Sequence, residues 1–147
     1  MSLAEKLCLS AAFVFFITGL LTGIWKYRHM ARSTDASAPT YVNIAHRSSL
    51  LYSFAAILLG QFAALSVFPP LVNTLAAAAT LTLFAMAILA YIIHGILQDT
   101  DNQLRRPHQL GNSTLPGWMM SSFMTVLIVA EVGGALVLGT GAMVAIW

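Results

Sequence analysis

The sequence predicts an all-α integral membrane protein, folded as a single domain in which four transmembrane helices form an antiparallel bundle. Of its 147 residues, 59% are hydrophobic and 8% are charged, whereas about a quarter are charged in an ordinary soluble domain. The charges are clustered, so that four long stretches carry almost none. Each stretch provides the ~20 residues that a helix needs to cross a bilayer. Four spans with short connections leave no room for a soluble domain.

The first predicted helix covers residues 7–25, and Lys26-Tyr27-Arg28-His29 follows it as an aromatic and basic edge. Such an edge is typical of a helix leaving the membrane. Because Lys6 precedes the apolar stretch, a secretory signal peptide is the alternative. The length of the stretch, the lack of an A-x-A cleavage signal directly after it and the basic residues that follow favour an uncleaved helix.

The other three predicted helices cover residues 46–68, 73–98 and 117–146. The second ends at Phe68-Pro69-Pro70, since two prolines stop a helix and force a tight reversal. The third is rich in Ala and Leu, and the fourth follows Pro116-Gly117 with a tryptophan near each end. Tryptophan is enriched where helices meet the membrane surface.

The basic residues predict the orientation of the bundle. Six of the seven lie in the first and third connections, and only Lys6 lies on the opposite side; the six are Lys26, Arg28, Arg32, Arg47, Arg105 and Arg106. The positive-inside rule places these connections in the cytoplasm and both termini outside it, in what we expect to be a bacterial inner membrane. This topology accounts for the net charge of +2, so no nucleic-acid partner is expected.

Among possible reactive groups, two histidines are the main candidates for a site. His46 is predicted to open the second helix and His94 lies about one turn before the end of the third. Antiparallel neighbours joined by a tight turn would place both at one depth, facing one cavity. Ionisable residues within a membrane usually mark a site, and imidazole is the usual protein ligand of haem iron. Alternatively, each histidine only hydrogen-bonds a backbone carbonyl or water.

Other candidates are weaker or absent. His29 and His108 are expected to be solvated in polar loops, and Cys8, as the only cysteine, has no disulfide or metal-ligand partner. Phosphate-binding, dinucleotide, zinc-protease and serine-hydrolase motifs are missing from the sequence. Glu131 lies near the middle of the fourth helix, where an exposed carboxylate is costly. We expect it to be protonated or hydrogen-bonded to a neighbouring helix or subunit, with a proton relay as the alternative.

In layout and in two motifs, the chain resembles the styrene oxide isomerase family of small membrane proteins. The motifs are Ala45-His46 at the second helix, and Asn102-Gln103-Leu104-Arg105 leading through Gly111 to Pro116-Gly117. The resemblance implies a homotrimer of four-helix subunits that binds haem b, with His46 as the axial iron ligand. Ferric iron would then act as a Lewis acid on an aryl epoxide and promote its Meinwald rearrangement to a carbonyl compound.

The chain departs from the family pattern on the substrate side. Tyr52 stands where the family has an asparagine, and His94 stands where it has a tyrosine. One hypothesis is therefore an isomerase in which Tyr52, Tyr91 and His94 shape a substrate pocket reached from the bilayer. A second is a bis-histidine b-type cytochrome with His46 and His94 as ligands. A third is a small structural or transport subunit without haem.

The haem hypotheses also predict partners for the propionate groups. Haem propionates are anions, and arginine and lysine bind such groups through charge-assisted hydrogen bonds. Lys26, Arg28 and Arg47 lie at the same predicted membrane edge as His46. We therefore expect these three residues to contribute to cofactor binding.

Overall fold

The computed structural model describes residues 1–147 as four long α-helices and one short β-hairpin. The helices are α1 (Leu3–Arg32), α2 (Thr40–Leu65), α3 (Pro70–Leu97) and α4 (Gly117–Ile146), and the strands are β1 (His108–Leu110) and β2 (Ser113–Leu115). Each helix is long and apolar enough to cross a membrane. The predicted set of four long apolar helices is therefore confirmed, whereas the antiparallel hairpin between α3 and α4 was not anticipated.

Helix α1 is longer than predicted at both ends. Ser2 and Glu5 form a capping box that satisfies the first free N–H groups. At the other end the helix continues through Lys26 and Arg28 as far as Arg32, so these residues lie on a helix and not in a connection. The predicted end at residue 25 was wrong because it marked a change in polarity, and lysine and arginine are good helix formers.

Prolines set the boundaries of α2 and α3. Helix α2 begins directly after Pro39, so His46 lies in its second turn and does not open it as predicted. It ends at Leu65, three residues before the predicted end, in keeping with the two prolines that follow. Helix α3 begins at Pro70, because the first helical position tolerates the missing N–H. Only the predicted bounds of α4 match the structure closely.

Small residues allow the helices to approach one another closely. A Cβ atom added at Gly60 of α2 would lie 3.2 Å from Cys8 Cβ of α1, and one added at Gly23 of α1 would lie 2.9 Å from the His46 ring. Between α3 and α4, Gly134 lies directly against Thr80. Small residues at helix interfaces are the usual means of close packing in lipid.

Several polar side chains of the helices form hydrogen bonds inside the chain. The Thr80 hydroxyl lies 3.0 Å from the carbonyl oxygens of both Ala76 and Ala130, so it links α3 to α4. At the reversal between α2 and α3, Ser66 Oγ donates to Asn73 Oδ1 over 2.9 Å. Asn73 Nδ2 in turn donates to the Phe68 carbonyl over 3.1 Å. These bonds join the end of α2 to the start of α3.

The outer surface of the bundle is apolar. Only 29 of the 147 residues are buried, so most of the large hydrophobic side chains lie on the outside. Helix α4 buries four residues: Gly134, Leu138, Gly141 and Ala142. A surface of this kind is suited to lipid and not to water, and it suggests an integral membrane protein.

The paired glycines of α4 provide a test of the packing. An added Cβ at Gly134 would clash with Thr80 Oγ1 and lie 2.7 Å from the Ala76 carbonyl oxygen, whereas one at Gly133 meets nothing within 4 Å. We expect Gly134→Ala to destabilise the protein by about 1–3 kcal/mol, because the helices must separate. Gly133→Ala is the matched control and should be neutral or slightly stabilising. Thermal unfolding in detergent micelles measures both, and equal midpoints would contradict the packing.

Candidate functional site

His46 is held against α1 by one hydrogen bond. Its Nδ1 lies 2.9 Å from the Gly19 carbonyl oxygen, and the half-buried imidazole occupies the space that Gly23 leaves by lacking a side chain. Because a carbonyl oxygen only accepts, Nδ1 must carry the proton. In the neutral ring with this tautomer, Nε2 has the free lone pair that a metal-ligating histidine requires.

His94 forms a buried pair with Asp99 at the end of α3. Nδ1 of His94 lies 2.8 Å from Asp99 Oδ1, and the two side chains are 6% and 4% exposed. The pairing depends on Gln98, whose left-handed conformation ends the helix and turns the chain back. Asp99 Oδ2 also accepts the Gly111 N–H over 2.6 Å, which joins the pair to the turn of the hairpin.

The surroundings of Asp99 keep this carboxyl group ionised. Burial raises the pKa of Asp99, but the hydrogen bonds from His94 and from the Gly111 N–H lower it by more, so that the pKa lies below its ordinary value of 3.8. Asp99 is thus an anion at neutral pH and orients the imidazole. As with His46, the Nδ1 hydrogen bond leaves His94 Nε2 free to accept a proton or bind a ligand.

His94 lies between two cavities of opposite character. One, of about 280 Å³, lies between α3, the hairpin and α4, and His94 is its only lining residue that is not hydrophobic. Its walls include Met86, Leu89, Ile93, Leu110, Met119 and Phe123. The other, of about 410 Å³, is lined mainly by polar residues that include Tyr41, Asp99 and Arg105. A side chain in this position can contact both an apolar ligand and the polar end of the bundle.

Tyr41 lies beside His94 and also contacts Tyr91, which is one turn earlier on α3. The ring of Tyr41 lies 5.0 Å from the His94 ring and 6.1 Å from the Tyr91 ring. The Tyr41 hydroxyl accepts the Gln103 N–H over 2.6 Å, which fixes the connection after α3 to the start of α2. Sequence reasoning missed Tyr41 and Asp99, although Asp99 follows His94 by five residues and immediately follows the residue that caps α3.

Tyr52 and Tyr91 meet inside the bundle, beside Glu131. The ring of Tyr52 stacks on Phe84 at 4.1 Å. Its hydroxyl lies near the Tyr91 hydroxyl and the Glu131 carboxyl group. Glu131 thus lies beside two neighbouring helices, and the expectation that it is protonated or hydrogen-bonded stays a prediction. The two tyrosines approach Glu131 and not His46.

The two main histidines do not face a common cavity within the chain. His46 contacts α1, whereas His94 contacts Asp99, Tyr41 and the two cavities described above. The expectation of one shared cavity is thus incorrect for a single chain. Sequence spacing indicates the depth of a residue along a helix, but the glycines of α1 determine which neighbour His46 contacts.

The remaining candidate residues occupy different positions from those expected. Lys26 is half-buried on α1, Arg28 and Arg47 are exposed, and none of the three forms a salt bridge within the chain. His29 lies in the last turn of α1 and not in a loop. His108 is buried at the start of the hairpin, where its Nδ1 lies 3.1 Å from the Gln103 carbonyl oxygen. The expected loop position was wrong for His29, because α1 extends further, and the expected solvation was wrong for His108, because it is buried.

Comparison with protein-family models, with curated proteins and with solved structures found no match for this chain. The resemblance to styrene oxide isomerases stays a prediction from the residues quoted above. The contacts of His46, His94 and Glu131 are properties of the chain itself and do not depend on that resemblance.

The hydrogen bond between the Asp99 carboxylate and the Gly111 N–H, which we call the Asp99 anchor, can be tested by measuring the stability of the hairpin. Asp99→Ala removes the acceptor of the Gly111 N–H, so we expect the hairpin amides to exchange with solvent faster. Because the pKa of Asp99 is lowered, its contribution is complete above pH 3.8 and is lost as the pH falls through the lowered value. Hydrogen exchange, corrected for its intrinsic pH dependence, measures both effects. Asp101→Ala, at a side chain that is 58% exposed, is the control, and equal protection in the two variants would contradict the anchor.

Proposed function

We propose that this protein is a membrane isomerase that binds haem b through His46 and rearranges small apolar epoxides to carbonyl compounds. The observation that carries the proposal is the 2.9 Å hydrogen bond between His46 Nδ1 and the Gly19 carbonyl oxygen. It fixes the tautomer whose Nε2 can ligate iron and holds the ring in one orientation. An imidazole anchored in this way to a backbone carbonyl is the usual arrangement behind a metal-ligating histidine.

The residues around His46 fit an axial ligand. Gly23 leaves space in which the imidazole packs against α1, since a Cβ there would be 2.9 Å from its Cε1. Lys26 follows Gly23 by one turn of α1, and Arg47 is adjacent to His46 on α2. Both are free of intramolecular salt bridges and can bind propionate oxygens. Arg28 is the third basic residue in this region, and it is exposed.

Ferric haem b, when bound, would supply a Lewis acid for the epoxide oxygen. The chain's own residues would bind and orient the substrate. The apolar cavity beside His94 suits a small aryl group and excludes water from it. His94 Nε2, with its ring fixed by Asp99, can hold a proton or a hydrogen bond at one end of this cavity, and Tyr52 and Tyr91 line the interior behind it. The rearrangement is redox-neutral, so it needs no electron donor.

An oligomer would join the two halves of this site. Helix α1 packs on α2 and α3, whereas α4 packs on α3 and α2, so the His46 face and the His94 cavity lie on different sides of the chain. A closed ring of identical subunits pairs different faces of its neighbours. We therefore infer a cyclic homo-oligomer in which the α1–α2 face of one subunit meets the α3–α4 face of the next, and the resemblance to the styrene oxide isomerases implies that it is a trimer.

We also propose an orientation for the bundle in the membrane. The pairs Gly60–Cys8 and Gly23–His46 run in opposite directions along α1 and α2, as antiparallel helices require. The basic residues beyond the apolar parts of the helices support a cytoplasmic location for the first and third connections. We propose both termini on the non-cytoplasmic side of a bacterial inner membrane.

A b-type cytochrome is the second candidate, and His94 is the observation in its favour. Its Nδ1 is bonded to Asp99, so its Nε2 is also free to ligate iron. Two histidine ligands would close the iron to substrate and suit electron transfer. An absorption spectrum with and without dithionite separates the candidates, because a six-coordinate low-spin haem indicates the cytochrome and a five-coordinate haem the isomerase.

His46→Gln tests the haem ligand. The glutamine amide can still donate to the Gly19 carbonyl oxygen but is a poor iron ligand, so we expect the Soret band of the purified protein to be lost while the fold is kept. His29→Gln, in the last turn of α1, is the matched control and should keep the band. A wild-type spectrum without a Soret band, or an unchanged one in His46→Gln, would refute haem binding at His46 and favour the structural or transport subunit.

The isomerase part of the proposal has its own readout. Haem-loaded wild-type protein should convert an aryl epoxide to the corresponding aldehyde or ketone without added reductant, and His46→Gln should not. If the loaded protein leaves aryl and alkyl epoxides unchanged and no epoxide-like ligand alters its spectrum, the isomerase is refuted while haem binding stands.

Arg47→Ala tests the propionate contact. A charge-assisted hydrogen bond contributes about 1.5–3 kcal/mol, so its loss should weaken haem retention by about tenfold or more. Transfer of haem to an apo-globin acceptor measures the dissociation rate. Arg32→Ala, at the end of α1 on the same predicted membrane side, is the charge-matched control. Equal dissociation rates in wild type and Arg47→Ala would rule out the contact.

A further inference from the structure

Three ionisable side chains from three different helices meet inside the bundle. Glu131 lies close to the middle of the 30-residue helix α4. Its carboxyl group lies near the Tyr52 hydroxyl of α2, and the Tyr91 hydroxyl of α3 lies near that of Tyr52. Glu131 Oε1 is inaccessible and has no hydrogen-bond partner. A buried carboxyl oxygen without a partner is costly, and such groups within membranes usually mark ion or proton pathways.

The cluster continues toward the polar end of the bundle. Tyr91 and His94 are three residues apart on α3, so their side chains lie on the same face, one turn apart. Both rings contact the ring of Tyr41. His94 is bonded to Asp99, and both line the polar cavity of about 410 Å³. Ionisable groups thus extend from the middle of α4 to a polar cavity at the end of α3.

The chemistry of these groups suits proton transfer. A hydroxyl group both donates and accepts, so each tyrosine can receive a proton on its oxygen while it releases its own to the next group. His94 Nε2 can accept a proton while Nδ1–H stays bonded to Asp99. Only O–H and N–H bonds form and break in such a transfer, one for one, and no electron moves.

We propose that Glu131 is a proton-exchange site in the middle of the bundle, connected to the polar cavity by Tyr52, Tyr91 and the His94–Asp99 pair. The groups that face Glu131 are Tyr52 from α2 and Tyr91 from α3. The site takes a proton as its ligand and uses none of the four residues proposed to hold haem in the isomerase, namely His46, Lys26, Arg28 and Arg47. It therefore stands or falls independently of His46.

The exchange of the Glu131 proton for deuterium provides a direct test. The infrared C=O stretching band of a protonated carboxyl group shifts in D₂O, and Glu131→Gln identifies the band of this residue. In the full-length protein at neutral pH, we expect the band to shift rapidly in wild type. Tyr52→Phe, Tyr91→Phe and His94→Phe should each slow the shift by about tenfold, because one group that carries the proton is lost.

Tyr27→Phe is the control for the loss of a tyrosine hydroxyl outside the cluster. Tyr27→Phe removes an exposed hydroxyl from α1 and should leave the rate unchanged. A variant that loosened the fold would exchange faster, so slower exchange cannot result from unfolding. The proposal is overturned if Glu131→Gln removes no carboxyl band, or if Tyr52→Phe, Tyr91→Phe or His94→Phe exchanges as fast as wild type.

Discussion

The apolar surface of four helices, each long and apolar enough to cross a membrane, is the constraint on which this structure depends. Polar groups between the helices are expected to find partners inside the chain, because an unsatisfied one costs several kcal/mol in an apolar medium, and Glu131 Oε1 is an exception. Thr80 therefore bonds carbonyl oxygens of α3 and α4, and Ser66 and Asn73 close the reversal between α2 and α3. His46 bonds Gly19 for the same reason. The hydrogen bond that orients His46 in our proposed site thus also satisfies a polar side chain that lies between helices.

Close packing and chain turns fix the orientation of the two histidine rings. Gly23 brings the His46 ring against α1, and this contact fixes both the tautomer and the orientation of the imidazole. At the other end, Gln98 turns the chain so that Asp99 fixes His94. In each case a hydrogen bond at Nδ1 leaves Nε2 available. The two free nitrogens lie on different sides of the chain, which is why our proposed site is completed between subunits.

The interior of the bundle also contains ionisable side chains near the middle of α4. Glu131 reaches Tyr52, and the tyrosines lead toward His94, so the bundle contains a row of ionisable groups where apolar packing would be simpler. Replacing such groups by apolar ones is often neutral or stabilising for a fold. Their presence near the middle of the helices is therefore better explained by function than by stability, in line with intramembrane ionisable residues generally.

The sequence by itself determined the four long helices and the bounds of α4. An apolar stretch of about 20 residues between prolines or polar segments has the length and composition of a helix that crosses a membrane. It also singled out His46, His94, Tyr52, Tyr91 and Glu131. It could not determine that α1 continues through Lys26 and Arg28, since charge ends an apolar stretch without ending a helix. Two three-residue strands carry too little pattern to predict a hairpin. Only the tertiary structure decided which neighbour each histidine contacts, because that depends on where glycines let helices approach and on how the chain turns after Leu97.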